Sequence, residues 1–144
     1  MLKIRAEQLE AFRPVAETQF ALRIVDHLRK KHAKAVVRLP QGPTLVHRLP
    51  DALLLEMVQN GIARARSYGL SWESSITGFV VLMFKAAPNF DLHPTINRSL
   101  TDAQVPPEAR IQNILKETNS SDWWDAKERY DPTAWQSKPK GAEE

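Results

Sequence analysis

The sequence predicts an all-α fold: a single-domain bundle of five to seven helices around one central buried helix. Three observations carry that prediction. Apolar residues recur at helical spacing in two segments, Phe20, Ile24 and Leu28 in one and Leu54, Met57, Val58 and Ile62 in the other. A further segment, Trp72 to Ala86, is apolar nearly all round, as expected of a helix enclosed by its neighbours. Proline and glycine punctuate these segments, with Pro50 at a start and Gly69 and Pro88 at stops.

Taken in order, residues 5–13 read as a short helix with Leu9 and Phe12 as its apolar contacts. Pro14 then opens a second helix, because a first-turn proline forfeits no hydrogen bond. That helix is expected to run to about Ala33, with Val25 widening its stripe and charge from Glu17 to Lys31 on the other face. Residues 38–50, RLPQGPTLVHRLP, hold three prolines and a glycine and read as a loop with a short extended piece at Thr44–His47. Such a loop either carries binding or merely connects two helices.

Pro50 and Asp51 open a third helix, to about Tyr68. Gly61 interrupts it at a cost of about 1 kcal/mol relative to alanine, which close approach of another helix would justify. Gly69 suits a left-handed stop, and Ser71 an N-cap, with Ser74 where a full capping box carries Glu or Gln. The fourth helix, about Trp72 to Ala86, turns Ile76, Phe79, Val80, Met83 and Phe84 inward, with Val81 and Leu82 on the remaining faces. Its run TGFVVLMF also fits a buried strand. The cap in front, the stop at Pro88 and the helical neighbour favour a helix. A short helix is expected near Pro94–Leu100. Another starts at Pro106 and Pro107 and runs to about Thr118, with Ile111, Ile114 and Leu115 inward. Ser121 would cap a last amphipathic segment, DWWDAKERY. The tail SKPKGAEE, from Ser137, is expected to be disordered. The helical domain is thus placed at 1–136 and the tail at 137–144.

At 144 residues the chain is long enough for one sizeable core. It has no apolar run of about 18 residues, so no membrane span is expected. Charge throughout MLKIRAEQLEAFR argues against a signal peptide. The chain has no cysteine, which removes disulfides, thiol catalysis and thiolate metal sites and suits a cytoplasmic protein. The net charge of +3 divides into +6 over residues 1–72 and −3 over residues 73–144. The excess gathers at Arg29, Lys30, Lys31, Lys34 and Arg38. Cations that solvate a helix C-terminus account for this cluster, and a nucleic-acid surface is the alternative.

A search for chemistry finds no catalytic kit. His27 and His32 are five apart and share no helix face, while His47 and His93 lie in loops, so no metal site is expected. Nucleophile elbow, P-loop and GxGxxG patterns are absent. Asp122, Asp125 and Glu128 recur at i, i+3, i+6. That spacing fits a paired-carboxylate site but better fits a solvated face, with Lys127 and Arg129 interleaved. Trp123, Trp124, Tyr130 and Trp135 crowd one stretch. Adjacent Trp123 and Trp124 stand about 100° apart on a helix, so one is expected to pack inward and the other to face outward. These rings either staple the C-terminal segment to the bundle or present a partner surface.

The stretch Gly61–Asp91, GIARARSYGLSWESSITGFVVLMFKAAPNFD, resembles small bacterial proteins encoded near type VI secretion effectors. Their pattern is a helix ending in an Arg-Ala-Arg-x-Tyr-Gly-like sequence, a capped helix ending in Met-Phe, and a Pro-x-Phe-Asp-like turn. Here these are Arg64–Gly69, Met83–Phe84 and Pro88–Asp91. FALRIVDHLRKKH resembles their preceding helix, so the likeness covers Phe20 to Leu92, about half the chain. It implies a cytoplasmic accessory role beside a toxin, as chaperone, co-chaperone or loading adaptor. An immunity protein would share that neighbourhood. It implies no catalytic residues, and Arg64, Arg66 and Tyr68 also have a purely structural reading at a helix end. The expected function is non-catalytic binding of another protein, without cofactor, through Trp123, Trp124, Trp135 and the loop around Val46. Immunity and basic nucleic-acid binding are the alternatives.

Overall fold

The computed structural model describes the backbone of residues 6–136 and the side chains of residues 16–136. The expectations for Leu9, Phe12 and the tail from Ser137 lie outside the described side chains. Six α-helices are described: α1 (Ala6–Lys31), α2 (Asp51–Ser67), α3 (Glu73–Lys85), α4 (Pro94–Leu100), α5 (Pro107–Glu117) and α6 (Ser120–Glu128). One hairpin, β1 (Val36–Leu39) and β2 (Gly42–Leu45), joins α1 to α2. Short 3₁₀ turns occupy Val46–Arg48, Phe90–Leu92 and Pro132–Gln136. The fold is all-α apart from that hairpin.

Several boundaries differ from expectation. α1 runs unbroken through Pro14 rather than starting anew there. An interior proline removes one backbone donor, and helical residues on both sides can carry the element across that loss. The hairpin replaces the expected loop. Pro40 presets the turn, Gly42 takes φ +133°, and Val37 and Leu39 point inward while Val36 and Arg38 point out. Pro43 is tolerated because a two-stranded ribbon is all edge. The N-cap of α3 is Trp72, with no side-chain cap bond, so Ser71 does not cap it. α6 is capped by Asn119, not Ser121, in a capping box with Asp122. Gly69 does stop α2 as expected, at φ +90°.

Why α3 is central follows from its inner face. Ile76, Phe79, Val80, Met83 and Phe84 are buried and packed against α2, α5 and β1. Gly61 lets α2 lie close to it, since a Cβ there would meet Met83 Sδ at 3.0 Å and Val80 Cγ2 at 3.1 Å. Phe79 sits between Tyr68 and Phe90, at 5.9 and 5.0 Å between ring centroids. At the other end Phe84 meets Trp135 at 4.7 Å.

Candidate partner-binding groove

The first polar cluster joins α2 to the turn before α4. Arg64, on α2, is buried and its Nη2 donates to both oxygens of Asp91 at 2.8 Å. Tyr68 Oη donates to Asp91 Oδ2 at 2.7 Å, and Asn97 Nδ2 donates to the Asp91 carbonyl at 3.1 Å. Burial first, then the Asp91 charge and hydrogen bond, push the Tyr68 hydroxyl far above its usual range, so it stays neutral. A cleft of about 570 Å³ adjoins the cluster. Its polar side chains are already committed. Asn89 bonds the Arg129 carbonyl and the Asp131 amide, Ser67 the Arg64 carbonyl, and Thr101 the Asn97 carbonyl. Arg64, Tyr68 and Asn97 all bond Asp91, so the cluster ties α2 to the turn before α4. Arg64, Tyr68 and Asp91, separated along the chain, thus form one contact.

His93 and the α6 carboxylates Asp122 and Asp125 are likewise engaged within the fold. His93 Nδ1 accepts from the Thr95 amide at 3.3 Å, so Nε2 carries the proton and donates to Asp125 at 2.9 Å. Asp125 also pairs with Arg129, and Asp122 caps α6. His27 and His32 do meet, edge to face at 5.4 Å, because His32 lies just past the end of α1 and its ring turns back. Among the described residues no group of three or more His, Cys, Asp or Glu is placed to hold a metal.

The aromatic residues divide sharply. Trp135 is 1% exposed, and its indole Nε1 donates to the Arg38 carbonyl and to Tyr130 Oη, at 3.1 and 3.2 Å. Val46 is fully buried in the 3₁₀ turn just after β2, at the open end of the hairpin. Neither can touch a partner without the core opening, which corrects the expectation for both. Trp123 is partly buried and stacks on Phe90 at 6.4 Å. Trp124, 67% exposed, faces outward, as the 100° offset required.

The basic cluster is largely spent on the fold. Arg29 donates to the Leu49 carbonyl at 2.8 Å and pairs with Asp51 at 2.6 Å. Lys30 pairs with Asp26, and Arg38 lies over the Tyr130 ring. Lys31, Lys34 and His32 remain around a cleft of about 360 Å³, together with Lys85 of α3.

The outer face of α3 is where apolar surface stays open. Val81 and Leu82 are only half buried there, and Leu115, expected inward, is 58% exposed. α5 turns Ile111 and Ile114 to the core, and the angle between Ile114 and Leu115 carries Leu115 to the rim. One cleft, about 240 Å³, lies between Leu82, Leu115, Trp123 and Lys127. A second, about 520 Å³, continues between His27 of α1, Val81 of α3 and Ile111 of α5. Leu82, Lys85 and Leu115 line both, so the two form one groove. Among the described residues neither Lys85 nor Lys127 has a carboxylate partner. Sequence reasoning found Trp123 but missed Leu115, Val81 and Leu82. The available signal was α3 itself, which is apolar on more faces than its neighbours cover.

Compared with models of known protein families, with curated proteins and with solved structures, the chain matches none.

Proposed function

We propose that this protein is a non-catalytic accessory factor that binds another protein through the groove on α3. The partner is a type VI secretion effector or that effector's chaperone, met in the cytoplasm. The observation that carries the binding reading is the groove: half-open Val81, Leu82, Leu115 and Trp123, rimmed by Lys85 and Lys127, which have no carboxylate partner among the described residues. Apolar centre with charged rim is the anatomy of a protein interface. The link to secretion rests on the resemblance of Gly61–Asp91 alone. A non-catalytic role is favoured by the closed hydrogen bonding of the cluster, in which Arg64 and Tyr68 both donate to the Asp91 carboxylate. Nucleic-acid binding is disfavoured because Arg29 and Arg38 are engaged with Asp51, the Leu49 carbonyl and the Tyr130 ring.

The test is co-expression with a type VI effector encoded beside the gene, followed by size-exclusion chromatography. A stoichiometric complex is expected for the wild type and its loss for Leu115→Arg, a change at an exposed site that leaves the core intact. A complex that survives Leu115→Arg removes the groove from consideration. Retained toxin activity within the complex marks an adaptor, and abolished activity marks an immunity protein. Recovery only of nucleic acid, released by salt, would transfer the function to the basic cluster.

A further inference from the structure

The shape and charge of the groove restrict what can fill it. Its floor is a stripe of α3 from Ser74 through Thr77, Gly78, Val81 and Leu82 to Lys85. At 1.5 Å per residue that stripe is roughly 16 Å long, about three helical turns. α1 and α5 form walls on either side, so the groove is a straight trough between helices. Backbone groups of a helical floor are satisfied within the helix, and among the described residues no strand residue lines either cleft. An extended segment laid there would find no backbone partners, whereas a helix brings its own.

The charges point one way. Lys85 and Lys127 line the trough, and His27 stands on the α1 wall. Among the described residues no carboxylate lines either cleft. Close in sequence, Asp26 pairs with Lys30, Glu73 with Arg23 and Asp125 with His93 and Arg129, while Glu117 and Glu128 are exposed and line neither cleft. Lys85 also borders the basic cleft of Lys31, His32 and Lys34, so positive groups crowd the end of the trough. A second copy of this chain would bring Lys85 and Lys127 against their own kind, since a two-fold interface is self-facing.

We infer that the occupant of the groove is an amphipathic α-helix of the partner protein, with apolar anchors over Val81, Leu82, Leu115 and Trp123 and acidic residues along its flanks. This rests on the partner-binding reading above. The acidic flanks meet Lys85 and Lys127, and the buried apolar face supplies most of the affinity.

Two fluorescein-labelled helical peptides test it, each of about 15 residues, long enough to hold a helix. They share one Leu/Phe/Trp face, and one has Glu flanks where the other has Lys. Fluorescence anisotropy with the full-length protein should show the acidic peptide binding roughly tenfold tighter, the product of two exposed ion pairs. Lys85→Glu with Lys127→Glu should reverse that preference, and Leu115→Arg should weaken both peptides. Equal affinity for the two, no change on charge reversal, or no binding of either overturns the inference. Concentration-dependent dimers that block the peptide overturn it in favour of a second copy. If the effector co-purifies and needs Leu115 while the charge reversal leaves that complex unchanged, the acidic-helix inference falls and the partner-binding function stands.

Discussion

Replacing Arg64 with methionine should destabilise the protein more than any surface change. Arg64 and Asp91 are both buried, with side chains 9% and 2% exposed, and sit 2.8 Å apart. Methionine would leave the Asp91 carboxylate buried with only the Tyr68 hydroxyl on it. Removing one member of a buried pair costs about 3–5 kcal/mol, chiefly because the remaining charge stays desolvated. Domains of this size have about 5–15 kcal/mol in total, so the variant should lose roughly a fifth or more of its stability. Its melting temperature should fall by roughly 10 °C. The double variant Arg64→Met with Asp91→Leu removes both charges, so the uncompensated carboxylate disappears with its partner. Its loss should be at least about 2 kcal/mol smaller than the sum of the single losses. Urea unfolding followed by tryptophan fluorescence measures all four species. A loss below about 1 kcal/mol for Arg64→Met, or simple additivity in the double variant, would refute the account of this pair as a desolvated structural link.

Three further changes probe the packing and the titration. Trp135→Ala should cost about 3–5 kcal/mol in urea melts, while Trp124→Ala should stay within about 0.5 kcal/mol; similar values for both would mean the division into core and surface is wrong. Gly61→Ala should destabilise by about 1 kcal/mol or more despite alanine's better helix propensity, because the new methyl presses on Met83 and Val80; a more stable variant would show that α3 yields easily. Burial, with help from His27 and Lys85, holds the His32 pKa below its ordinary 6.5. The unfolded chain therefore takes up this proton first, so the contribution is present above pH 6.5 and lost as pH falls through the folded-state value. Thermal melts across that window should show a shallower decline for His32→Gln than for the wild type, and identical slopes would exclude the effect.

Local sequence by itself determined most helices. The stripes of Phe20, Ile24 and Leu28 and of Leu54, Met57 and Val58 are the buried faces of α1 and α2. Gly69 ends α2, and Pro94 and Pro107 open α4 and α5, because backbone freedom and a missing donor act within a single turn. The hairpin was less legible, since its prolines mimic a loop while the strand pairing depends on Val37 and Leu39 reaching the core. Tertiary structure alone decided what the polar and aromatic residues do. Arg64 and Asp91 lie 27 positions apart, and only the packing of α2 on the turn before α4 makes them a pair. Trp135 is core because a carbonyl of β1, 97 positions earlier, accepts its indole proton. The groove is likewise a property of the assembled fold. Val81, Leu82 and Leu115 read as core residues in the sequence, and they are left open because no described element lies over that face of α3 between α1 and α5. Periodicity tells which residues would gain from burial, but only the arrangement of neighbours determines which of them obtain it.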